Sequence, residues 1–563
     1  MSTTTPSPQN ASIEEKAVIE TSNRSFQGIW LIVLVLVAGA ASLSVEFAAS
    51  RLLAPYFGTS LFVWANLIGL ILLYLTIGYY AGGRIADRYP RPVVLYGLTA
   101  VSALLISLIP VLSRPILSWS QSAFATYSIG VFYGSLVSVI LLFALPMILL
   151  GCVSPFAIRL CTAQIVRSGR TAGQLYAIST IGSIFGTFFP VFVLIPYLGT
   201  YMTFFTTALA LLLVSLIGIL STQRRDGSRS DNGNPNNGKP SEKKSTRTSL
   251  FSILLLLPLG LTLFGIQGPI KPPSGTNGGG VLVAEKESAY NYIQVVRVGR
   301  EMQLVLNEGL AVHSIYNPDR VLTSGPWDYF MAAPYFNNPP FTPQQVRKVC
   351  IIGLGAGTIP HEFTTVYGPS VSIDGVEIDG DIVNMGRKYF AMTEPNLHVT
   401  VQDGRYFMQT TTQKYDLVGI DAYQQPYVPF QLTTNEFFHE VQNHLTPTGV
   451  AVINAGRTSH DFRLVNALSQ TMRSVFSNVY IIDTERFSNS IIIGTNAHTA
   501  LSNFQANTSI MTNAPLQSVM TSSINYGNLR EEHTAHATFT DDRAPVEQLI
   551  DSIILNVAAS GKE

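Results

Sequence analysis

Three acidic residues stand at the ends of short apolar runs. Glu377 lies in Val376-Glu377-Ile378-Asp379, Asp403 in Val399-Thr400-Val401-Gln402-Asp403-Gly404-Arg405, and Asp421 in Tyr415-Asp416-Leu417-Val418-Gly419-Ile420-Asp421. A carboxylate so placed can accept hydrogen bonds from ribose hydroxyls or an amine, or take a proton from a nucleophile. Ahead of them runs Val349-Cys350-Ile351-Ile352-Gly353-Leu354-Gly355-Ala356-Gly357-Thr358, an apolar strand entering a G-x-G-x-G turn. Glycines in such a turn let the backbone approach a ligand where a Cβ would collide. Glu377 follows Gly357 by twenty residues, the spacing of a nucleotide-binding βαβ unit.

These residues need a parallel sheet to position them. In an open parallel sheet ligands sit at the carboxyl ends of the strands, so Glu377, Asp403 and Asp421 are expected to converge on one crevice. Any one such acid serves equally well as a helix cap or a solvated side chain. Three in series behind a glycine turn point to a site.

The chain has 563 residues, no formal net charge, 47% hydrophobic and only 12% charged residues. The apolar residues crowd into the first half. No strongly basic globular part points to nucleic acid. Cys152, Cys161 and Cys350 lie in or beside apolar runs without metal-ligand spacing, so neither a metal site nor a disulfide framework is expected.

Residues 1–25 are polar, rich in Ser, Thr and Pro, and read as a disordered tail. A transmembrane domain of about seven helices is expected over 26–270, with apolar segments at roughly 28–50, 61–83, 93–112, 128–151, 176–198, 201–221 and 250–268. The stretch 222–249 is a polar loop. Arg84, Arg88 and Arg91 follow the second segment, Arg159, Arg167 and Arg170 the fourth, and Arg224, Arg225 and further basic residues the sixth. That asymmetry implies a multi-pass protein of the cell membrane with a cytoplasmic N-terminus. Counted literally, a seventh span places the rest of the chain outside the cytoplasm, whereas nucleoside cofactors are made inside it. The side of the soluble part stays open. Glu46 is an intramembrane acid and so a candidate functional residue, or an interfacial partner of Arg51 or Arg84. Gly182 and Gly186 read as helix-packing residues.

Residues 271–280 form a link. Alternation in Tyr292–Val298 and Met302–Leu306 marks a small antiparallel β domain over 281–345. A doubly wound Rossmann-like domain of the class I methyltransferase type follows over 346–500. A C-terminal extension over 501–563 carries Thr540-Asp541-Asp542-Arg543-Ala544-Pro545-Val546-Glu547.

A small β-sheet domain ahead of this fold resembles the spermidine synthase (polyamine aminopropyltransferase) family, in its membrane-fused branch. The match is carried by Glu287-Ser288-Ala289-Tyr290-Asn291-Tyr292-Ile293, Leu306-Asn307-Glu308-Gly309, the glycine turn, the three acidic strand ends, Leu432-Thr433-Thr434-Asn435-Glu436-Phe437-Phe438 and the C-terminal motif. The resemblance implies that Gly353, Gly355, Gly357, Glu377, Asp403 and Gly404 hold a nucleoside donor, decarboxylated S-adenosylmethionine or S-adenosylmethionine, as co-substrate without a permanent cofactor. Glu377 would take the ribose hydroxyls and Asp403 the adenine amino group. Asp421 would be the general base for a polyamine acceptor. Asn291 and His313 stand where the family has donor-binding glutamines. Tyr290, Tyr423, Gln424, Asp541 and Asp542 are the candidates for acceptor binding. The family's tendency to form homodimers adds a possible homodimer to the lipid bilayer and the two small molecules as partners.

Departures from the pattern matter too. The acid that normally binds the donor's propylamine is Ala356, and the acid that normally binds the acceptor amine falls in Gln424-Gln425. An ammonium facing Ala356 lacks a charge-assisted hydrogen bond worth roughly 1.5–3 kcal/mol. Three functions therefore compete: aminopropyl transfer, methyl transfer from S-adenosylmethionine, and a transporter or sensor whose synthase-like domain only binds ligand. The last draws on Gly78-Tyr79-Tyr80-Ala81-Gly82-Gly83-Arg84-Ile85-Ala86-Asp87-Arg88, which is similar to a loop signature of major-facilitator transporters.

Overall fold

The computed structural model describes residues 8–58, 61–124, 130–161, 168–230, 270–273, 280–307, 309, 311–423, 427–526 and 528–560. The expected seventh apolar segment, 250–268, lies outside them, as do 231–249 of the polar loop, 274–279 of the link, Glu308 and Gln424-Gln425. The chain divides into two compact units, the second running from Lys271.

The first unit is helical: α1 (Pro8–Phe57), α2 (Leu61–Arg88), α3 (Pro92–Phe124), α4 (Gly130–Gly151), α5 (Val153–Cys161), α6 (Ser168–Phe189), a π-helical turn (Pro190–Leu194), α7 (Ile195–Leu198) and α8 (Thr200–Ser230). Helix α1 begins at Pro8, inside the stretch expected to be a disordered tail. Glu14-Glu15-Lys16-Ala17 within it are good helix formers. Among the described residues six stretches are long and apolar enough to cross a membrane: Ile29–Phe57, Phe62–Arg88, Pro92–Ser120, Phe132–Cys161, Gly169–Leu198 and Thr200–Thr222.

Small residues let these helices meet backbone to backbone. A Cβ on Gly182 would lie 2.0 Å from the Leu36 carbonyl oxygen, and one on Gly186 would lie 2.1 Å from that of Ala40. A Cβ on Gly78 would lie 2.3 Å from the Ile148 carbonyl oxygen, and one on Gly82 2.5 Å from Cys152 Cα. Gly78 and Gly82 of the transporter-like stretch 78–88 thus serve helix packing, whereas a Cβ on Gly83 would meet nothing within 4 Å. Its Asp87 pairs with Arg159 at 3.0 Å.

The second unit opens with a four-stranded antiparallel meander of β1 (Val281–Glu287), β2 (Tyr292–Val298), β3 (Glu301–Leu306) and β4 (Val312–Tyr316). An eight-stranded mixed sheet follows. Its parallel strands are β5 (Lys348–Ile352), β6 (Ser372–Glu377), β7 (Leu397–Val401), β8 (Tyr415–Ile420) and β9 (Leu445–Gly456). Strands β10 (Asn478–Asp483), β11 (Asn489–Thr495) and β12 (Arg530–Glu532) complete it, in the order β12-β10-β11-β9-β8-β5-β6-β7. Successive residues of β5 point to opposite faces. Val349 and Ile351 enter one apolar cluster, Cys350 and Ile352 another, so helices cover both sides.

Two segments lie deeper than their sequences suggest. The 3-10 helix Pro326–Phe336, assigned above to the small β domain, is buried throughout and fills one face of the large sheet. The C-terminal extension supplies edge strand β12 and the helices Leu501–Ile510, Ala514–Asn525 and Val546–Ser560, all packed on the same sheet. Asn507 ties it in, donating 2.8 Å to the Tyr335 carbonyl and 2.9 Å to that of Asn337.

Candidate functional site

The turn after β5 uses its glycines for chain approach. Gly353, Gly355 and Gly357 have φ of +83°, +55° and +94°, a region that side chains with a Cβ rarely adopt. A Cβ on Gly353 would lie 2.5 Å from the Asp421 carbonyl oxygen, so this glycine lets the turn lie against the end of β8. One on Gly355 would lie 2.6 Å from Ser314 Oγ of β4. Ala356 donates its amide to that Oγ at 2.9 Å, and its side chain packs with Ile293, Val295, Leu304, Leu306, Ile382 and Phe390. The position that departs from the family pattern thus lies in an apolar cluster.

Register places the acidic ends along one edge. Ile352 pairs with Val376 and Ile420, and Glu377 with Val401, all in parallel, so Asp421, the glycine turn, Glu377 and Asp403 emerge at successive strand ends. Glu377 is buried. Its two oxygens accept the amides of Gly355 at 2.9 Å and Asp379 at 3.1 Å. Burial nevertheless pushes its carboxyl up to about 7, since desolvation outweighs those donors. Asp403 caps the helix Gly404–Thr410 by accepting the Tyr406 amide at 3.0 Å. A Cβ on Gly404 would lie 2.3 Å from Ile352 Cγ2, which accounts for the glycine.

Asp421 is held by two neutral donors. Trp327 Nε1 reaches Oδ2 at 2.9 Å, and Asn454 Nδ2 reaches Oδ1 at 2.8 Å. Burial raises its carboxyl to about 7, against the downward pull of both hydrogen bonds. Asn489 Nδ2 donates in turn to Asn454 Oδ1 at 2.9 Å. Asp421 opens onto a cavity of about 340 Å³, which His313, Trp327, Tyr423, Asn454 and Phe487 also line. Tyr423 donates to the Asn454 carbonyl at 3.0 Å, and burial followed by the nearby Asp421 charge raises its phenol. Asp421, Tyr423 and His313 are therefore brought to one cavity.

Other candidates fall elsewhere. Asn291 donates to Asp379 Oδ2 at 2.9 Å and accepts from Asn307 at 2.9 Å, so its amide ties the small sheet to the cap of the helix Gly380–Tyr389. Tyr290 is 47% exposed and stands outside the cavity lining. Asp541 takes both terminal nitrogens of Arg405 at 2.7 Å and the Thr434 hydroxyl at 2.7 Å; Arg405 also grips Glu440. That clamp fastens the C-terminal segment, and Asp542 beside it is exposed. Asp541 anchors the chain end through Arg405, and neither aspartate is among the residues that line the cavity. Gln424 lies outside the described residues. Among the described residues no cluster of His, Cys, Asp or Glu suits a metal ion, and the three cysteines are free.

Trp327, Asn454, Asn489 and Phe487 escaped the sequence reading. Asn454 alone carried a signal, as a polar residue inside Val450-Ala451-Val452-Ile453-Asn454-Ala455. Trp327 arrives from a segment far in sequence from Asp421.

A glycine turn, a buried strand-end acid and a five-strand parallel core with an antiparallel edge define an α/β domain of the class I methyltransferase type. Residues 335–505 match the family model described as the spermine/spermidine synthase domain. A probable polyamine aminopropyl transferase of Bifidobacterium longum is 37% identical over 199 residues, 35% of this chain and 43% of that protein. The polyamine aminopropyltransferase of Vibrio vulnificus is 35% identical over 144 residues, 25% of this chain and 46% of that one. The chain thus spans less than half the length of these relatives. The crystal structure of a probable spermidine synthase from Corynebacterium glutamicum aligns with a TM-score of 0.37 and 19% identity, over 45% of this chain and 92% of that one.

Proposed function

We propose that the chain is a membrane-bound aminopropyltransferase that uses decarboxylated S-adenosylmethionine and an amine acceptor of the polyamine type. The observation that carries this reading is Asp421, a half-buried carboxyl oriented by Trp327 and Asn454 on the wall of a cavity, with its backbone against the glycine turn at Gly353. An acceptor ammonium cannot attack until it loses a proton. Asp421 orients the amine and accepts that proton. The amine nitrogen then bonds to the aminopropyl carbon, the carbon–sulfur bond breaks, and methylthioadenosine leaves with the electron pair. Since the sulfonium is already a good leaving group, holding the two reactants in line supplies much of the rest. Glu377 accepts the ribose hydroxyls, and Asp403 takes the adenine amino group with its cap-free oxygen.

In the same reading the six apolar helices cross the plasma membrane with the N-terminus inside. Arg84, Arg88, Arg159, Arg224 and Arg225 then lie on the cytoplasmic side. The soluble unit is cytoplasmic, where the donor is made.

The test is turnover by the full-length protein with decarboxylated S-adenosylmethionine and 1,4-diaminobutane, followed as methylthioadenosine release. Asp421→Asn should lower turnover by about 10²–10⁴-fold while methylthioadenosine still binds. Methyl transfer is the second reading, favoured by Ala356, which offers no negative charge to repel a methionine carboxylate. Tighter binding of S-adenosylmethionine than of its decarboxylated form would replace the first reading with it.

A further inference from the structure

One fully buried acid has no part in the chemistry described so far. Glu362 lies on the helix Thr358–Tyr367, which follows the glycine turn, and is 0% exposed. Among the described residues no donor reaches either of its carboxyl oxygens. An ionised carboxyl left in that state is costly enough that the group takes up a proton instead. The side chain facing it is another acid, Asp328 of the 3-10 helix Pro326–Phe336, and the Asp421 charge acts on it as well. None of the ion pairs among the described residues includes Asp328, Glu362 or Asp421. Two carboxyls that face each other with no cation between them are joined by a shared proton.

Asp328 has room for that hydrogen bond. Its Oδ1 accepts the Thr323 amide at 2.9 Å and the Thr323 hydroxyl at 2.6 Å, and its Oδ2 accepts the Ser324 amide at 2.9 Å. A carboxylate offers about four acceptor sites, so one is left for Glu362. These bonds hold the turn that leads into the 3-10 helix, where Ser324 takes a left-handed φ of +59°. Trp327, the neighbour of Asp328 in the chain, is the residue whose Nε1 donates to Asp421 at 2.9 Å. The other ionisable side chains of the Glu362 helix are engaged elsewhere, His361 with Glu394 and with the Tyr316 ring of β4, and Tyr367 with the Met331 carbonyl. Burial, followed by the Asp328 and Asp421 charges, holds the Glu362 carboxyl well above the usual carboxylate range.

We infer that Glu362 is a positioning residue for Asp421, acting through a hydrogen bond from its carboxyl proton to Asp328. That bond pins the start of the 3-10 helix, and the pinned Trp327 indole sets the line along which Asp421 meets the acceptor amine. This rests on the function proposed above and deepens it. Loss of the proton to solvent sets two carboxylates face to face, and their repulsion releases the helix start.

The experiment uses the full-length protein in detergent. At about pH 8, above the point where Asp421 and Glu377 ionise, infrared spectra should show a protonated-carboxyl band that Glu362→Gln lacks. Glu362→Leu should lower kcat by about 10²-fold, the cost of a misplaced reacting group, with methylthioadenosine affinity unchanged. Glu362→Gln still offers Asp328 a donor and should restore most of that loss. Wild-type kcat should climb through about 7 with Asp421 and fall again at alkaline pH as the bridging proton leaves, a fall that Glu362→Gln should abolish. An unchanged carboxyl band in Glu362→Gln, an alkaline fall shared by Glu362→Gln and the wild type, or full turnover in Glu362→Leu overturns the inference and leaves the proposed function standing. Should Glu362→Leu not fold, the band and the alkaline fall in Glu362→Gln decide. Absence of turnover by the wild-type protein overturns the proposed function, and the positioning role with it, whatever the infrared spectra show.

Discussion

At the scale of single residues the proposed chemistry turns on two carboxyls that burial lifts into the neutral range. Asp421 rises from 3.8 to about 7, and Glu377 from 4.5 to about 7. As a base Asp421 must be ionised, so turnover should climb as pH rises through about 7. Stability should run the other way. In the folded state Asp421 keeps its proton across a window where the unfolded chain has released it, so stability falls as pH rises from about 4 to 7 and stays low above. Thermal melts at pH 5.5 and 8 should show this loss, and Asp421→Asn should reduce it. Opposite slopes for turnover and melting temperature identify the carboxyl as functional rather than structural. Glu377 makes a separable prediction. In the proposed role, ribose hydroxyls donate more strongly to its ionised form, so methylthioadenosine should bind more tightly above pH 7 than below. Glu377→Gln should weaken that binding by about 10- to 150-fold, a charge-assisted hydrogen bond's worth, and flatten its pH dependence.

Elements set where these groups stand. The glycine turn and the end of β8 touch through Gly353, where a Cβ would sit 2.5 Å from the Asp421 carbonyl oxygen. Gly353→Ala should therefore cost about 1–3 kcal/mol for its left-handed φ alone, and more for the clash, while displacing Asp421. Gly368→Ala is the control, with φ +89° and nothing within 4 Å of an added Cβ. It should lose only the backbone part in a thermal melt and keep its activity. The 3-10 helix Pro326–Phe336 positions Trp327, and β9 and the β10–β11 turn position Asn454 and Asn489. Asp421 is thus buttressed by segments from three places in the chain. The glycine turn and the three acids were legible in the sequence because they lie beside the strands that announce them. These buttresses were not, since nothing local to Trp327 or Asn489 reports the strand each will face. The counter-charge of Asp541, Arg405, likewise lies 136 residues away, where nothing local to the C-terminal motif announces it.

As a whole the molecule joins an apolar helical unit to an α/β unit, and each holds together by different means. In the proposed membrane-bound state lipid offers no hydrophobic drive between helices, so close approach must come from small residues. Gly182 and Gly186 bring α6 onto α1 at distances a side chain would forbid. Replacing both with leucine should make the detergent-solubilised protein aggregate or become protease-sensitive in its helical unit. The intact chain should stay with membranes through a high-salt wash and leave them only with detergent. By itself the sequence determined the apolar spans, the alternation of strands and the order of motifs, because each is a periodicity or spacing written within a few residues of itself. Only the tertiary structure decided that Asp421 meets Trp327 and Asn454, that Phe487 walls its cavity, and that Asp541 serves Arg405. Those outcomes depend on which distant segments share one side of a sheet, and that is settled by packing both faces of the sheet at once.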